Sequence, residues 1–173
     1  MNAITNEAKP ATLAPRFEEF PDELTRLHQW VLWRLAQRAD GKWTKKPLRV
    51  DGRHADSTDP ATWAPFEDVM TVYGSSGYDG VGFVLSREDP FVGIDLDHVI
   101  DATGAVHPEA LRIVGAINSY TERSPSGRGL RIIARGTLPD GWRNTKKYVI
   151  EIEMYDSARF LTITGHRFEG TRR

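Results

Sequence analysis

The segment Phe91-Val92-Gly93-Ile94-Asp95-Leu96-Asp97-His98 is an apolar run with an acid at two alternate positions. Its composition predicts a β-strand, and side chains alternate faces along a strand. Val92, Ile94 and Leu96 therefore share one face, and Asp95 and Asp97 share the other. The two aspartate Cα atoms would lie roughly 6.6 Å apart, a span that a divalent cation can bridge. Acids are depleted in strands. Either the strand ends here, with Asp97 opening a turn, or the pair holds a ligand.

Composition narrows the classes. The 173 residues suit one domain, and 39% hydrophobic with 27% charged residues reads as soluble and globular. The net charge of −1 leaves attraction to nucleic acid to a local patch. The absence of cysteine excludes disulfides, thiol catalysis and cysteine-based zinc sites. No apolar run approaches the roughly 20 residues of a membrane span, so no membrane partner and a cytoplasmic setting are expected.

Residues 1–15 read as a flexible leader. Pro21-Asp22-Glu23-Leu24 has the acidic start of a short helix, and Trp30-Val31-Leu32-Trp33-Arg34-Leu35 reads as a buried strand. Asp40-Gly41 signals a hairpin whose return strand is Lys42-Trp43-Thr44-Lys45-Lys46-Pro47. With Arg38, that hairpin is the densest basic cluster in the chain. Asp59-Pro60 opens a turn, and a helix follows Pro65 with Phe66, Val69, Met70 and Tyr73 on its apolar side. Val81-Gly82-Phe83-Val84-Leu85 is expected to form a hairpin with the aspartate strand. Pro108 opens a helix with Leu111, Val114 and Ile117 as its buried stripe. The turn Ser124-Pro125-Ser126-Gly127-Arg128-Gly129 feeds a strand from Leu130 to Arg135. Arg143, Lys146 and Lys147 precede a strand from Val149 to Tyr155, and Phe160-Leu161-Thr162-Ile163-Thr164 is the last strand. The order predicts an α+β layer, a mostly antiparallel sheet with helices on one face.

Three strands repeat one anomaly. Asp95 with Asp97, Glu151 with Glu153, and Arg131 with Arg135 each occupy one face of an otherwise apolar strand. A sheet covered on one side leaves its other face to solvent or ligand. Carboxylates converging beside cations suit phosphate chemistry, in which Mg²⁺ takes part of its coordination from water and substrate. Backbone N–H groups of the Ser124–Gly129 turn are expected to gather an anion, joined by the serine hydroxyls and Arg128. The P-loop spacing is absent.

The Asp-x-Asp strand, the Ser-Gly-Arg-Gly turn and the run Glu153-Met154-Tyr155-Asp156 to Arg159-Phe160-Leu161-Thr162-Ile163-Thr164-Gly165 resemble the primase-polymerase (Prim-Pol) domain. That domain belongs to the archaeo-eukaryotic primase superfamily and occurs at the N-terminus of phage and plasmid replication proteins. Trp30-Val31-Leu32-Trp33, Lys45-Lys46-Pro47 and Asp79-Gly80-Val81-Gly82-Phe83 also look like it. The resemblance runs from about residue 24 to 169, within a catalytic domain expected over residues 16–173.

The resemblance implies an RRM-like catalytic sheet and a template-directed nucleotidyltransferase, a DNA primase or DNA polymerase. Asp95 and Asp97 match the first motif, the metal-binding acids. Glu153 best matches the third carboxylate, with Glu151 the alternative. The implied cofactor is Mg²⁺ or Mn²⁺. Lys46, Ser124, Ser126, Gly127, Arg128, Gly129, Arg131, Arg159 and His166 are the implied nucleotide-binding set. Arg131 stands where superfamily members often have a histidine; it can grip a triphosphate but not shuttle protons near neutral pH. His98 is a further candidate for touching nucleotide. The implied partners are nucleoside triphosphates, a single-stranded DNA template and primer, and a helicase on the same longer chain or in trans. Replacing Asp95 or Asp97 by alanine is expected to abolish extension with the fold intact. Two rival readings are a non-catalytic single-stranded-DNA-binding module and a metal-dependent nuclease.

Overall fold

The structure, a computed structural model, describes residues 8–75, 77–140, 142 and 149–171. Strands β1 (Trp30–Gln37) and β2 (Trp43–Leu48) form the expected hairpin, with Gly41 at φ +81° in the connection. β1 pairs on its other side with β3 (Gly80–Leu85), which in turn pairs with β8 (Arg159–Ile163). The first sheet thus has the order β2-β1-β3-β8, antiparallel throughout. A short helix α1 (Asp22–Thr25) and helix α2 (Phe66–Gly74) flank its aromatic core. There the Trp30 ring lies 5.6 Å from Phe20, 5.0 Å from Phe66 and 5.4 Å from Phe83.

The second sheet holds β4 (Phe91–Asp97), β5 (Tyr120–Arg123), β6 (Leu130–Arg135) and β7 (Glu151–Tyr155) in the order β5-β6-β4-β7. Helix α3 (Pro108–Ile117) joins β4 to β5 and packs on the face carrying Val92, Ile94, Leu96, Leu130 and Ile132. His107 caps α3 by accepting the Glu109 N–H at 3.2 Å, and Pro108 occupies the first turn, where its missing N–H costs nothing.

Four expectations change. β3 and β4 do not form a hairpin: β3 is already paired on both edges by β1 and β8, and β4 by β6 and β7. The chain instead crosses between sheets at 86–90, where Asp89 accepts the N–H groups of Ser86 and Phe91 at 2.8 Å each. The packed side of α3 keeps Val114 and Ile117 of the expected stripe but takes Ala110 and Ile113 in place of Leu111, which is 44% exposed. β5 was invisible in the sequence because Tyr-Thr-Glu-Arg reads as polar, yet Tyr120, Thr121 and Glu122 are all buried. The aspartate face of β4 is not simply open, because β8 of the first sheet lies across it. A Cβ on Gly93 would sit 2.1 Å from Leu161 Cδ1, so glycine is what lets β8 approach.

The leader is also not structureless over residues 8–15. Leu13 N–H donates to the Pro125 carbonyl at 2.8 Å, and Lys9 pairs with Asp79 at 2.7 Å. The arm therefore ties the first sheet to the β5–β6 turn. Arg143, Lys146 and Lys147 lie outside the described residues.

Gly93→Ala is expected to cost about 1–3 kcal/mol by overpacking against Leu161. The midpoint of a denaturant titration measures it, and an unchanged midpoint would contradict this sheet contact.

Candidate active site

Antiparallel register aligns one row of charges across the whole second sheet. Glu122 on β5 faces Arg131 on β6, Arg131 faces Asp95 on β4, and Asp95 faces Glu153 on β7. Two residues along, Asp97 faces Glu151. Directly opposed side chains in such a ladder lie roughly 4.5–5.5 Å apart at Cβ. The matching faces expected for Asp95, Asp97, Glu151 and Glu153 are therefore present.

Arg131 is the hub. Its Nε donates to Asp95 Oδ1 at 2.5 Å, and its Nη1 donates to both the carbonyl and the hydroxyl of Thr162 on β8. Only 6% of Arg131 and 8% of Asp95 is exposed. Burial opposes the Arg131 charge, but the Asp95 carboxylate bonded to it, with Glu122 and Asp97 nearby, holds its pKa above the ordinary arginine value. Two of its three nitrogens are thus committed to the protein. The expected triphosphate grip meets a guanidinium that instead clamps the two sheets.

Glu122, which sequence reading missed, lies at the far end of the row. It accepts the Tyr120 hydroxyl at 2.8 Å and the N–H groups of Thr164 at 3.0 Å and Gly165 at 2.8 Å. Burial pushes its carboxyl pKa up, while Arg131 and these donors pull it down. A carboxylate so enclosed fixes the chain after β8 and is not open to substrate.

The other end of the row opens into a cleft of about 460 Å³ that includes Asp95, Asp97, Glu153, Lys45, Arg159 and Ser126 in its lining. Loss of hydration raises the Asp97 pKa, and Asp95, Glu151 and Glu153 raise it further. Glu153 accepts the Tyr155 hydroxyl at 2.7 Å, and that phenol is pushed up to about 12 by burial and the same hydrogen bond. The Arg159 guanidinium carbon lies 4.6 Å from the Tyr155 ring centroid. A larger cavity of about 650 Å³ lies elsewhere, between the Glu18–Leu24 segment and Arg135, and includes none of the site residues expected from sequence.

The cleft gathers Asp95, Asp97, Glu153, Arg131, Arg159 and Ser126, but not the rest of the expected set. Lys46 is not in the cleft lining, to which β2 contributes Trp43, Thr44 and Lys45 instead. Arg128 is exposed outside it. His166 Nε2 is bonded to the Ala14 carbonyl at 2.9 Å, and His98 is exposed at φ +55° just past β4. Four N–H groups of the Ser124–Gly129 turn, which was expected to gather an anion, serve the turn itself. Ser124 N–H donates to the Gly129 carbonyl, Gly127 N–H to the Ser124 carbonyl, Arg128 N–H to Ser126 Oγ and Gly129 N–H to Ser124 Oγ. Gly127 at φ +72° and Gly129, where a Cβ would meet the Leu96 carbonyl at 2.9 Å, are present for backbone shape.

The donor set of the cleft is all oxygen, as hard cations require, and the mutual repulsion on Asp97 is the tension a cation would relieve. Among the described residues no group of three or more histidine, aspartate or glutamate side chains is drawn together closely enough to hold a metal ion. Arg131 holds Asp95 and Tyr155 holds Glu153 in other bonds. The residues fit such a cation in kind and in facing, and ligation would require them to rearrange.

A protein of Nitratiruptor phage NrS-1 named DNA Primase-polymerase is 41% identical to this chain over 151 residues, 85% of the chain. The likeness supports a Prim-Pol domain. The chain spans 20% of that relative's length. No family model matches. No helix among the described residues is long and apolar enough to cross a membrane.

Asp97→Asn is expected to raise Tm by about 1–3 °C, since it removes a carboxylate that the fold holds at a cost. The pKa of Asp97 is raised on folding, so wild type loses stability relative to the variant as pH rises above about 4, and below that the two converge. Melting curves between pH 3 and pH 7, roughly the range of this titration, measure the difference. Asp95→Ala, by contrast, leaves the Arg131 charge buried without its partner and is expected to cost about 3–5 kcal/mol. The expectation that both alanine variants leave the fold intact is thereby kept for Asp97 alone.

Proposed function

We propose that this chain is the catalytic domain of a template-directed nucleotidyltransferase, a DNA primase or DNA polymerase acting in phage- or plasmid-type replication. The observation that carries the reading is the cleft itself, with Asp95, Asp97 and Glu153 on one wall and Lys45 and Arg159 on the other. A metal–triphosphate has a cation and an anionic tail, and the two walls match those two parts. The β4-α3-β5-β6-β7 order, with β4 and β6 central in an antiparallel sheet, is the split β-α-β arrangement of RRM-like sheets and supports an archaeo-eukaryotic primase type. The printed name of the phage relative supports the same activity.

In the proposed reaction a primer 3′-hydroxyl attacks the α-phosphate of an incoming nucleoside triphosphate, and pyrophosphate leaves. Asp95, Asp97 and Glu153 would hold Mg²⁺ or Mn²⁺, which would activate the hydroxyl and neutralise charge on the phosphate oxygens. Glu151 faces Asp97 across the ladder and is the alternative to Glu153. The cations on the opposite wall orient the triphosphate, and Arg131 keeps Asp95 and β8 in place while this happens. Positioning and preorganised charge are the main contributions of the protein. Single-stranded template and primer, with a helicase on the same longer chain or in trans, are the proposed partners.

A non-catalytic single-stranded-DNA-binding role is the second reading, favoured by the engagement of Asp95 with Arg131. Salt-sensitive binding of single-stranded DNA without nucleotide incorporation would select it.

Asp97→Ala is expected to abolish extension of a primed single-stranded template in Mg²⁺ or Mn²⁺, a loss on the order of 10³-fold or more. Incorporation of labelled nucleotides measures it. Wild-type-like extension by the variant would remove Asp97 from the mechanism.

A further inference from the structure

The β1–β2 hairpin supplies Leu35, Trp43, Thr44 and Lys45 to the cleft lining, and β2 is an edge strand of the first sheet. Side chains alternate along β2. Leu48 enters the aromatic core and Lys46, on its side of the strand, is not in the cleft lining, whereas Lys45 on the other side is. Register places Lys45 opposite Leu35, itself part of the cleft lining.

The cleft contains Lys45, Arg131 and Arg159 as its cationic side chains among the described residues. Arg131 is 6% exposed and bonded to Asp95 and Thr162. Arg159 is exposed and stacks on Tyr155. Lys45 makes no ion pair within 4.0 Å among the described residues. The residue is exposed overall, and its ammonium lies in the combined field of Asp95, Asp97, Arg131 and Arg159. Loss of hydration and the neighbouring Arg131 push its pKa down, against the pull of the two aspartates. A partly desolvated ammonium lining the same cleft as the acid pair, on an edge strand, is placed to meet the phosphates of a cation–nucleotide complex bound at that pair.

We infer that Lys45, not Lys46, is a nucleotide-binding residue of this cleft, contacting the outer phosphates of an incoming nucleoside triphosphate. The inference rests on the nucleotidyltransferase reading and adds a residue to it. A flexible ammonium contacts phosphate as a point charge, so charge is the property that matters. Arg131 then has a positioning role behind the carboxylates, and the triphosphate meets β2 from across the cleft.

The test uses the full chain and a non-hydrolysable α,β-imido nucleoside triphosphate with Mg²⁺, titrated calorimetrically, beside the corresponding nucleoside monophosphate. Lys45→Met is expected to weaken triphosphate binding on the order of 10–100-fold and monophosphate binding by less than about 2-fold. Lys46→Met, its neighbour on the same strand, serves as the control and is expected to change neither. Lys45→Arg is expected to retain most of the affinity. In primer extension, Lys45→Met should raise the nucleotide KM more than it lowers kcat. Melting curves check the fold: no variant is expected to melt below wild type, since Lys45→Met removes a charge that loses hydration on folding. Lys45→Met binding the triphosphate as tightly as wild type overturns the inference while leaving the nucleotidyltransferase reading standing. Wild type failing to bind the triphosphate overturns that reading, and this inference with it.

Discussion

The ion pair between Arg131 and Asp95 is the constraint on which the rest depends. It joins adjacent strands within the second sheet, and through Thr162 it also joins that sheet to the first. Both partners are almost wholly buried. A buried pair of this kind adds little net stability over an apolar one, because the cost of stripping water from two charges nearly cancels their attraction. What it adds here is placement. Either partner without the other would be an uncompensated buried charge, so the strands cannot slip without breaking the row. The pair also determines where Asp95 points, at the mouth of a cleft rather than into the core.

Around this pair the charges are arranged unequally. Glu122 is enclosed by donors and serves the backbone after β8. Asp97 sits at the open end beside the two glutamates of β7, where lost hydration and the neighbouring carboxylates make its charged form costly. Such crowding is a local loss of stability that protonation or an arriving cation relieves. Strain of this sort belongs at a functional site, since the same carboxylates would be cheaper apart. The cationic wall formed by Lys45 and Arg159 comes from the other sheet, so the cleft exists only because the two sheets meet at β8.

The fold was legible wherever local patterning and burial agreed. β1, β4 and β6 follow their apolar periods, α2 does so at Phe66 and Val69 but not at Met70, which is exposed, and the alternation along β4 and β7 puts four carboxylates on the correct faces. It failed where burial ran against polarity. Tyr120 to Arg123 reads as a polar loop, yet it is a buried strand whose glutamate is satisfied by backbone amides 42 and 43 residues away in the chain order. The Ser124–Gly129 turn misled in the opposite sense. Its glycines and serines match an anion-binding composition, but the hairpin uses four of the same N–H groups, those of Ser124, Gly127, Arg128 and Gly129, for its own closure.

Sequence by itself determined the class of the protein, the acidic strand pair and the faces on which the charges lie, because strand alternation is a local property of the backbone. Tertiary structure decided which charges are spent and which are offered. Arg131 looks like a phosphate ligand in isolation and becomes a clamp once Asp95 and Thr162 surround it. Lys45 and Lys46 are equivalent letters on a basic hairpin, and only the pairing of β2 with β1 separates the one that faces the cleft from the one that does not. Distances between distant segments are not written in local periodicity, and a charge's role depends on those distances.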